Sequence, residues 1–359
     1  MRLRFPSAVL LSLLALGVLA ASSTAAVPKS FFGIVPQTPL DAGDYQVVDL
    51  SNAGTVRLIL SWPSVQPNST TTNWSAFDHQ VEMASQQGIQ VLPFIYNSPD
   101  WIGGCSSGCS THAPSTPQAL GHWKRFVAAA EDRYGQGGDF WSAHPGLPKL
   151  PIRAWQIWNE QNSKTFFTPK PDPKIYAKML SRAADAIHSR DRKADVILGG
   201  MFGTPAGGGG KAIAAADYLD RLYKIRGTRN DFNGIALHPY SRGVDFVERQ
   251  VKIARRALKR AHDSSTDLWI TEIGWASGGK PSALNVGSQK AQASRLKQAY
   301  SLFEKHRKDW NVRLVAWFSF QDSPASDSFC FFCAKSGLLT EGNKKKSSYS
   351  AFKRIAASR

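Results

Sequence analysis

The sequence predicts an α/β fold consisting of a single (β/α)8 TIM barrel, in which eight parallel strands alternate with helices. Three observations predict it. A short apolar run rich in β-branched and aromatic residues recurs eight times, and each run leads through a polar loop to a longer amphipathic stretch. No linker or change of composition divides the 359 residues, and barrels of this length are single domains. Strands that are apolar on both faces belong to buried parallel sheets.

The predicted elements follow one another in regular alternation. The predicted strands span residues 31–36, 55–62, 90–97, 152–160, 195–202, 234–240, 268–275 and 314–322. The predicted helices span residues 41–52, 74–87, 117–135, 172–190, 212–225, 245–263, 286–309 and 349–358. The alternative fold, an open doubly wound sheet, would carry a glycine-rich phosphate turn after its first strand, and none follows Pro36.

The first 26 residues have the layout of a secretory signal peptide. Arg2 and Arg4 form a basic head, an apolar run extends from Val9 to Ala21, and small residues follow it. The apolar run is shorter than the about 20 residues that a transmembrane helix needs, and no later segment is apolar and long enough to span a bilayer. We therefore expect a secreted, extracellular domain over residues 27–359 with no membrane span.

The four cysteines form two close pairs, Cys105 with Cys109 and Cys330 with Cys333. In an exported protein an even number of cysteines indicates disulfides, and we predict one bridge within each pair. A zinc site held by the four thiolates is the alternative, because two close-spaced thiol pairs are typical of structural zinc. The sequence also leaves open a cross-pairing between the two loops. Both loops follow predicted strands, at the barrel end where active sites form.

The formal net charge of +17 does not indicate a nucleic-acid partner. The basic residues are scattered, and the one dense run, 344–346, stands beside a predicted turn and reads as a solvated surface. No zinc finger, RNA-binding signature or basic heptad accompanies the charge. A basic surface can favour acidic glycans, but most of this excess is expected to be solvated surface.

Two glutamates stand at the ends of apolar strands. The fourth strand ends in AWQIWNEQN over 154–162, with Glu160, and the seventh reads LWITEIGW over 268–275, with Glu272. Apolar neighbours raise the pKa of a carboxyl group unless a charge or hydrogen bond opposes them, and unpaired buried carboxylates are costly. In a barrel both would face the catalytic end. Glycosidic cleavage needs such a pair, because one acid protonates the departing oxygen and the other stabilises or attacks the anomeric carbon.

With these motifs the sequence resembles glycoside hydrolase clan A, the retaining (β/α)8 enzymes whose catalytic glutamates end strands four and seven. The resemblance covers the whole mature chain. Besides WNEQN and TEIGW it rests on Arg57 in the second strand, on HPY over 238–240 at the end of the sixth, and on Trp317 in the eighth.

The end of the third strand departs from one of the clan's families. Family 5 carries a histidine near this point, whereas residues 96–101 here read YNSPDW. That segment and the WxxxxP stretch over 62–67 look closer to families 39 and 42. The family within the clan, and with it the sugar, stays open.

The resemblance implies catalytic roles. Glu160 is expected to act as general acid and then as general base, and Glu272 as the nucleophile. Asn159 is expected to bond the sugar 2-hydroxyl, a contact that strengthens in the transition state. Arg57 would hold Glu272 ionised through its positive charge, and Tyr240 would donate a hydrogen bond to the same carboxylate. The alternative for Arg57 is a salt bridge at the barrel end.

The other predicted site residues are expected to contact the sugar. Trp317 would form the floor of the central subsite by stacking on a pyranose face, and Trp101 and Trp275 would form walls of further subsites. His238 would orient either carboxyl group or the sugar. The alternatives are structural, namely a core histidine at 238 and a tryptophan at 317 that fills the barrel mouth.

Together these features predict a secreted O-glycosyl hydrolase that cleaves oligo- or polysaccharides with retention, by double displacement. The chemistry needs neither a metal nor an organic cofactor. We expect a monomer whose partner is its carbohydrate substrate. The alternative is a catalytically silent barrel that binds carbohydrate through the same aromatic residues.

Overall fold

Eight parallel strands close into a barrel in a computed structural model that describes residues 26–358, except 104, 106–107, 203–211, 325–329 and 331. The predicted signal peptide lies outside the described residues apart from its last position. The first strand pairs with the second and with the last, and this pairing closes the ring. The strands are β1 (Phe32–Val35), β2 (Thr55–Ser61), β3 (Gln90–Tyr96), β4 (Ala154–Ile157), β5 (Asp195–Leu198, continued by Met201–Phe202), β6 (Gly234–His238), β7 (Asp267–Ile273) and β8 (Val312–Phe318).

The helices surround this barrel in the predicted order. They are α1 (Ala42–Leu50), α2 (Trp62–Val65), α3 (Ser75–Gln86), α4 (Pro117–Tyr134), α5 (Asp139–Ala143), α6 (Pro173–His188), α7 (Ala215–Tyr223), α8 (Val244–Arg260), α9 (Gln289–Lys305) and α10 (Ser347–Ala357). The predicted TIM barrel is confirmed, and the short helices α2 and α5 are additions that the sequence pattern did not indicate. None of the helices in the described part of the chain combines the length and apolarity that crossing a membrane requires.

The observed strands are shorter than the predicted ones, and β4 and β5 show the reason at their carboxyl-terminal ends. β4 stops at Ile157 because Trp158 and Glu160 have positive φ angles of 72° and 44°, which take the chain out of the extended region. β5 is interrupted at Gly199 and Gly200. A Cβ atom on Gly200 would lie 2.0 Å from Nε2 of His238, so only glycine lets the chain pass this close to the histidine ring.

Side chains alternate between two apolar layers. The interior of the barrel is filled by Val35, Leu92, Ile197, Ala236, Leu314 and Ala316, with Ala154, Trp269 and Phe318 packed against them. A larger layer lies between the strands and the helices. On β8 this alternation directs Leu314, Ala316 and Phe318 inward, and Val315 and Trp317 outward. The alternation along β8 therefore decides that Phe318, and not Trp317, faces the interior of the barrel.

Both predicted disulfides are present, Cys105–Cys109 and Cys330–Cys333. Pairing within each loop rules out the cross-paired arrangement. It also rules out the four-thiolate zinc site, because no thiolate remains among these cysteines.

Lys346 corrects the prediction of an exposed basic run. Its ammonium group is completely buried and lies 2.9 Å from Oδ1 of Asp322, which also accepts a hydrogen bond from the backbone of Gly337. This ion pair joins the loop after β8 to the residue that precedes α10. Burial lowers the pKa of Lys346, and the Asp322 carboxylate opposes that shift. The pair is structural, since it fastens the loop that follows the last strand.

We expect Lys346→Met to destabilise the protein by about 3–5 kcal/mol, because Asp322 would be left as an unpaired buried charge. Urea unfolding followed by tryptophan fluorescence measures the change. The matched control is Lys344→Met, since Lys344 is exposed and its replacement is expected to cost at most about 0.5 kcal/mol. Adding Asp322→Asn to Lys346→Met should restore part of the stability. Equal effects of the two lysine substitutions would contradict the buried ion pair.

Candidate active site

Arg57 is the centre of a buried polar network at the carboxyl-terminal end of the barrel. Its Nη1 lies 2.8 Å from Oε1 of Glu272, its Nη2 2.8 Å from Oδ1 of Asn159, and its Nε 2.9 Å from Oε1 of Gln156. The guanidinium also lies over the ring of Phe94, 4.0 Å from the ring centroid. Three directed hydrogen bonds and one aromatic face fix the orientation of the charge.

Glu272 has a hydrogen-bond partner on each of its carboxylate oxygens. Arg57 holds Oε1, and the hydroxyl of Tyr240 donates to Oε2 over 2.8 Å. The register of β7 against β8 shifts between Ile270 and Ile273, and an irregularity of this kind re-aims a side chain. Burial raises the pKa of Glu272, while the Arg57 charge and the Tyr240 hydrogen bond oppose that rise. These two partners favour the ionised form.

Glu160 has a different environment. His238 Nδ1 lies 2.7 Å from its Oε1, whereas Oε2 is buried and has no hydrogen-bond partner in the described structure. Only 4% of the side chain is exposed. Burial raises the pKa of Glu160 well above its usual value, the nearby Glu272 charge raises it further, and Arg57 lowers it in part. Of the two carboxyl groups, Glu160 is therefore the one that keeps a proton.

His238 lies between the two carboxyl groups. Its Nε2 is 3.0 Å from Oγ1 of Thr271 and 3.6 Å from Oε1 of Glu272. Burial and the Arg57 charge both lower the pKa of His238 well below its usual value, so the ring is neutral. A neutral imidazole fixed at both nitrogens orients Glu160 without adding a charge to the site.

The predicted catalytic residues converge on one point. One oxygen of each of Glu160 and Glu272, and one ring nitrogen of His238, all lie within 4.8 Å of one another. This cluster contains enough ligand types for a metal ion, but Arg57, Tyr240 and His238 already occupy three of the four carboxylate oxygens. The arrangement suits proton transfer and nucleophilic attack better than metal binding.

Asn159 lies where the resemblance implies a sugar contact. Its Oδ1 accepts from Arg57, and its amide nitrogen makes no hydrogen bond within the described residues. The side chain is nearly buried, at 7% exposure. Ile59 lies two residues beyond Arg57 on the same face of β2 and is 45% exposed, so an apolar side chain stands next to the polar network on this strand.

Two predicted subsite residues are corrected by the structure. Trp317 is fully buried, its indole donates to the Ser336 carbonyl over 3.1 Å, and its ring packs against Trp275. Trp275 is fully buried as well. Neither ring has an exposed face on which a sugar could stack, because both point into the layer between the strands and the helices. Trp101 remains partly exposed in the loop after β3.

Phe318 and Phe332 are aromatic residues that sequence reasoning missed. Phe318 is partly exposed at the inward-facing end of β8, 6.3 Å from the Tyr240 ring. Phe332, between the two cysteines of the second disulfide, lies 4.8 Å from the same ring. Counting the alternation along β8 from Leu314 would have found Phe318. No sequence signal located Phe332, because its position depends on how the loop folds back.

Gln156 and Thr271 are two further polar residues that sequence reasoning missed. Both are fully buried, and each bonds a group of the site, Gln156 the Arg57 guanidinium and Thr271 the His238 ring. A polar side chain inside an otherwise apolar strand was the available signal. Each holds a functional residue in place.

Solved structures of similar shape include a family 39 glycoside hydrolase from Bacteroides cellulosilyticus, at a TM-score of 0.66 and 20% identity over 92% of this chain and 64% of that one. A monomeric beta-xylosidase from Caulobacter crescentus has a TM-score of 0.65 and 16% identity, over 91% of this chain and 68% of that one. A family 5 subfamily 18 structure from Bifidobacterium longum, in complex with Manβ1-4GlcNAc, has a TM-score of 0.62 and 16% identity, over 91% and 78% of the two chains.

These similarities concern the fold. The barrel is the one found in glycoside hydrolases of families 39 and 5, as the resemblance to clan A implied. The chain spans about two thirds of the length of the first two structures. No protein-family model matches the sequence, and no curated protein matches it in a sequence search.

Proposed function

We propose that this protein is a retaining glycoside hydrolase in which Glu272 is the nucleophile and Glu160 the acid/base. The observation that carries the proposal is the closeness of the two carboxyl groups, which have oxygens within 4.8 Å of each other. Retaining glycosidases have their carboxyl groups about 5–5.5 Å apart, whereas inverting enzymes need roughly 6.5–9.5 Å to admit a water molecule. The different partners of the two groups support the division of roles.

In the first step Glu160 gives its proton to the glycosidic oxygen while Glu272 attacks the anomeric carbon. The bond to the leaving group breaks, and a glycosyl ester forms on Glu272. Arg57 and Tyr240 keep Glu272 ionised before the attack. The amide nitrogen of Asn159 is available to donate to the substrate.

In the second step the ionised Glu160 takes a proton from water, and the resulting hydroxide-like oxygen displaces Glu272 from the anomeric carbon. The ester on Glu272 carries no charge, so the repulsion that raised the pKa of Glu160 is gone at this stage. The same side chain thus changes from acid to base within one cycle. Two inversions at the anomeric carbon give net retention.

We expect β-linked glycosides with small glycones as substrates, since the structures of similar fold include a beta-xylosidase and a complex with Manβ1-4GlcNAc. The test incubates the protein with 4-nitrophenyl β-xyloside, β-glucoside, β-galactoside and β-mannoside, and follows the first-formed sugar by proton NMR. The β-anomer should appear first and then mutarotate. An α-anomer first would contradict retention. Binding of oligosaccharides without any product would instead favour the silent carbohydrate-binding barrel.

We also propose that the protein is exported and that residues 1–26 are removed. The basic head and apolar run of the first residues support this, as do the two disulfides, which persist in oxidising compartments. N-terminal sequencing of protein from the culture medium is expected to begin at residue 27. Retention in the cytoplasm with four reduced thiols would overturn the proposal.

A further inference from the structure

The loop after β8 places the side chain of Phe332 against Tyr240, the tyrosine that bonds Glu272. Phe332 packs against Tyr240 with ring centroids 4.8 Å apart, and against Phe318 with centroids 6.0 Å apart. Phe318 in turn meets the Tyr240 ring edge-on at 6.3 Å. The tyrosine whose hydroxyl bonds Glu272 is therefore held by two phenylalanines from one segment of chain.

The Cys330–Cys333 disulfide closes the turn that carries Phe332. Within that turn the backbone of Cys333 donates to the carbonyl of Cys330, and Lys335 donates to the carbonyl of Phe332. The far side of the turn is anchored to the barrel, because Gln37 on the β1 loop donates to the Cys333 carbonyl over 3.1 Å. The turn is thus closed by the disulfide and fixed to the loop after β1 on the Cys333 side of Phe332.

We propose that Phe332, presented by the disulfide-closed turn, is a positioning residue that holds the Tyr240 hydroxyl on Glu272. This inference rests on the proposed function and extends it to a residue and a covalent bond outside the catalytic pair. An aromatic pair in this arrangement stabilises a defined ring orientation. Without Phe332 the Tyr240 ring loses the aromatic neighbour that is nearest to it among the described residues. Water can then compete for the hydroxyl group that bonds Glu272.

The kinetic test is a double-mutant cycle. Phe332→Ala should lower kcat on the best 4-nitrophenyl glycoside by roughly tenfold with a smaller change in KM, and Phe332→Tyr should keep most of the activity. In a Tyr240→Phe background, Phe332→Ala should have little further effect, because the hydroxyl that it positions is already gone. A full additional loss in that background would mean that Phe332 contacts the sugar directly, and would overturn the proposal. So would a lowered melting temperature with unchanged kcat.

The disulfide is tested with a matched pair of variants. Cys330→Ser with Cys333→Ser should lower kcat as Phe332→Ala does, whereas Cys105→Ser with Cys109→Ser removes the other bridge and should not reproduce that loss. Equal effects of both pairs would show a general requirement for disulfides and would contradict a specific role of the second one.

A second measurement does not depend on turnover. Tetranitromethane reacts with phenolate, and burial with the Glu272 hydrogen bond raises the pKa of Tyr240, so this residue should resist nitration at pH 8. Peptide mapping is expected to show several-fold more nitration of Tyr240 in Phe332→Ala and in the Cys330 and Cys333 double variant. Unchanged nitration would refute the positioning role even if no glycoside were cleaved. Absence of turnover with increased nitration would instead count against the proposed function alone.

Discussion

Glu272→Gln is expected to lower kcat on activated aryl glycosides by at least ~10³-fold, as the loss of a catalytic nucleophile does in other enzymes. Glutamine is nearly the same size and can keep contacts with Arg57 and Tyr240, so the loss would come from nucleophilicity and not from unfolding. Stopped assays with 4-nitrophenyl glycosides measure it, and circular dichroism checks the fold. Full activity of the variant would remove Glu272 from the mechanism.

The matched control for this substitution is Glu304→Gln. Glu304 is a partly buried glutamate on α9, outside the barrel interior, whose pKa burial also raises. Glu304→Gln should keep wild-type kinetics.

Glu272→Ala adds a positive test, because azide can enter the space of the missing carboxylate. The expected product is a glycosyl azide of inverted configuration, formed by a single displacement.

Glu272→Gln should also lower the pKa of Glu160, because the Glu272 charge is one of the causes that raise it. The sign follows from electrostatics, since removing a nearby negative charge makes ionisation of the remaining carboxyl group easier. Burial persists in the variant, so the pKa should stay above that of an ordinary glutamate. Carbon-13 NMR of labelled glutamates over a pH series measures the shift. An unchanged titration would mean that the two groups are not coupled.

The sequence predicted the barrel, and it singled out Glu160 and Glu272 as candidate catalytic residues, because both inferences rest on local patterns. Apolar strands and amphipathic helices in strict alternation identify the fold, and a carboxylate at the end of an apolar strand stands out against its neighbours. Arg57, His238 and Tyr240 could be predicted because they match positions of the clan A pattern, Arg57 within β2 and the other two at and just after the end of β6. The hydrogen bonds of these three residues to Glu160 and Glu272 then follow from the closure of the barrel, which brings the strands together.

The features that the sequence could not predict depend on the direction in which side chains point and on contacts between residues far apart in the chain. Trp317 and Phe318 are adjacent in the chain, but the alternation of β8 turns Trp317 toward the helices and Phe318 toward the interior of the barrel. A displacement by one residue reverses every such assignment. Lys346 lies in a basic run and is nevertheless buried, because Asp322 on another loop meets it. Phe332 reaches Tyr240 only through a closed turn.

Glu160→Gln is expected to separate the two steps of the reaction. For glycosides with poor leaving groups kcat/KM should fall roughly 10²–10⁴-fold, the usual contribution of a general acid. A 2,4-dinitrophenyl leaving group needs no proton, so kcat/KM for that substrate should change little. Its kcat should fall, because no base activates water in the second step. The glycosyl-enzyme on Glu272 should therefore accumulate, and intact-protein mass spectrometry detects it as one added sugar.

The pH profile of the same variant tests in which direction activity changes when Glu160 loses its proton. In the wild type the protonated acid is the active form, so activity on poor leaving groups falls as pH rises through the raised pKa of Glu160. Glutamine has no proton to lose, and this alkaline limb should disappear. Glu131→Gln is the control, since Glu131 on α4 is a buried glutamate whose pKa burial raises to about 7 and which bonds nothing in the site. If the limb persists in Glu160→Gln, or disappears in Glu131→Gln, another group is the acid.

Azide, which needs no base, should restore turnover of Glu160→Gln with retained configuration, because it displaces Glu272 from the accumulated ester.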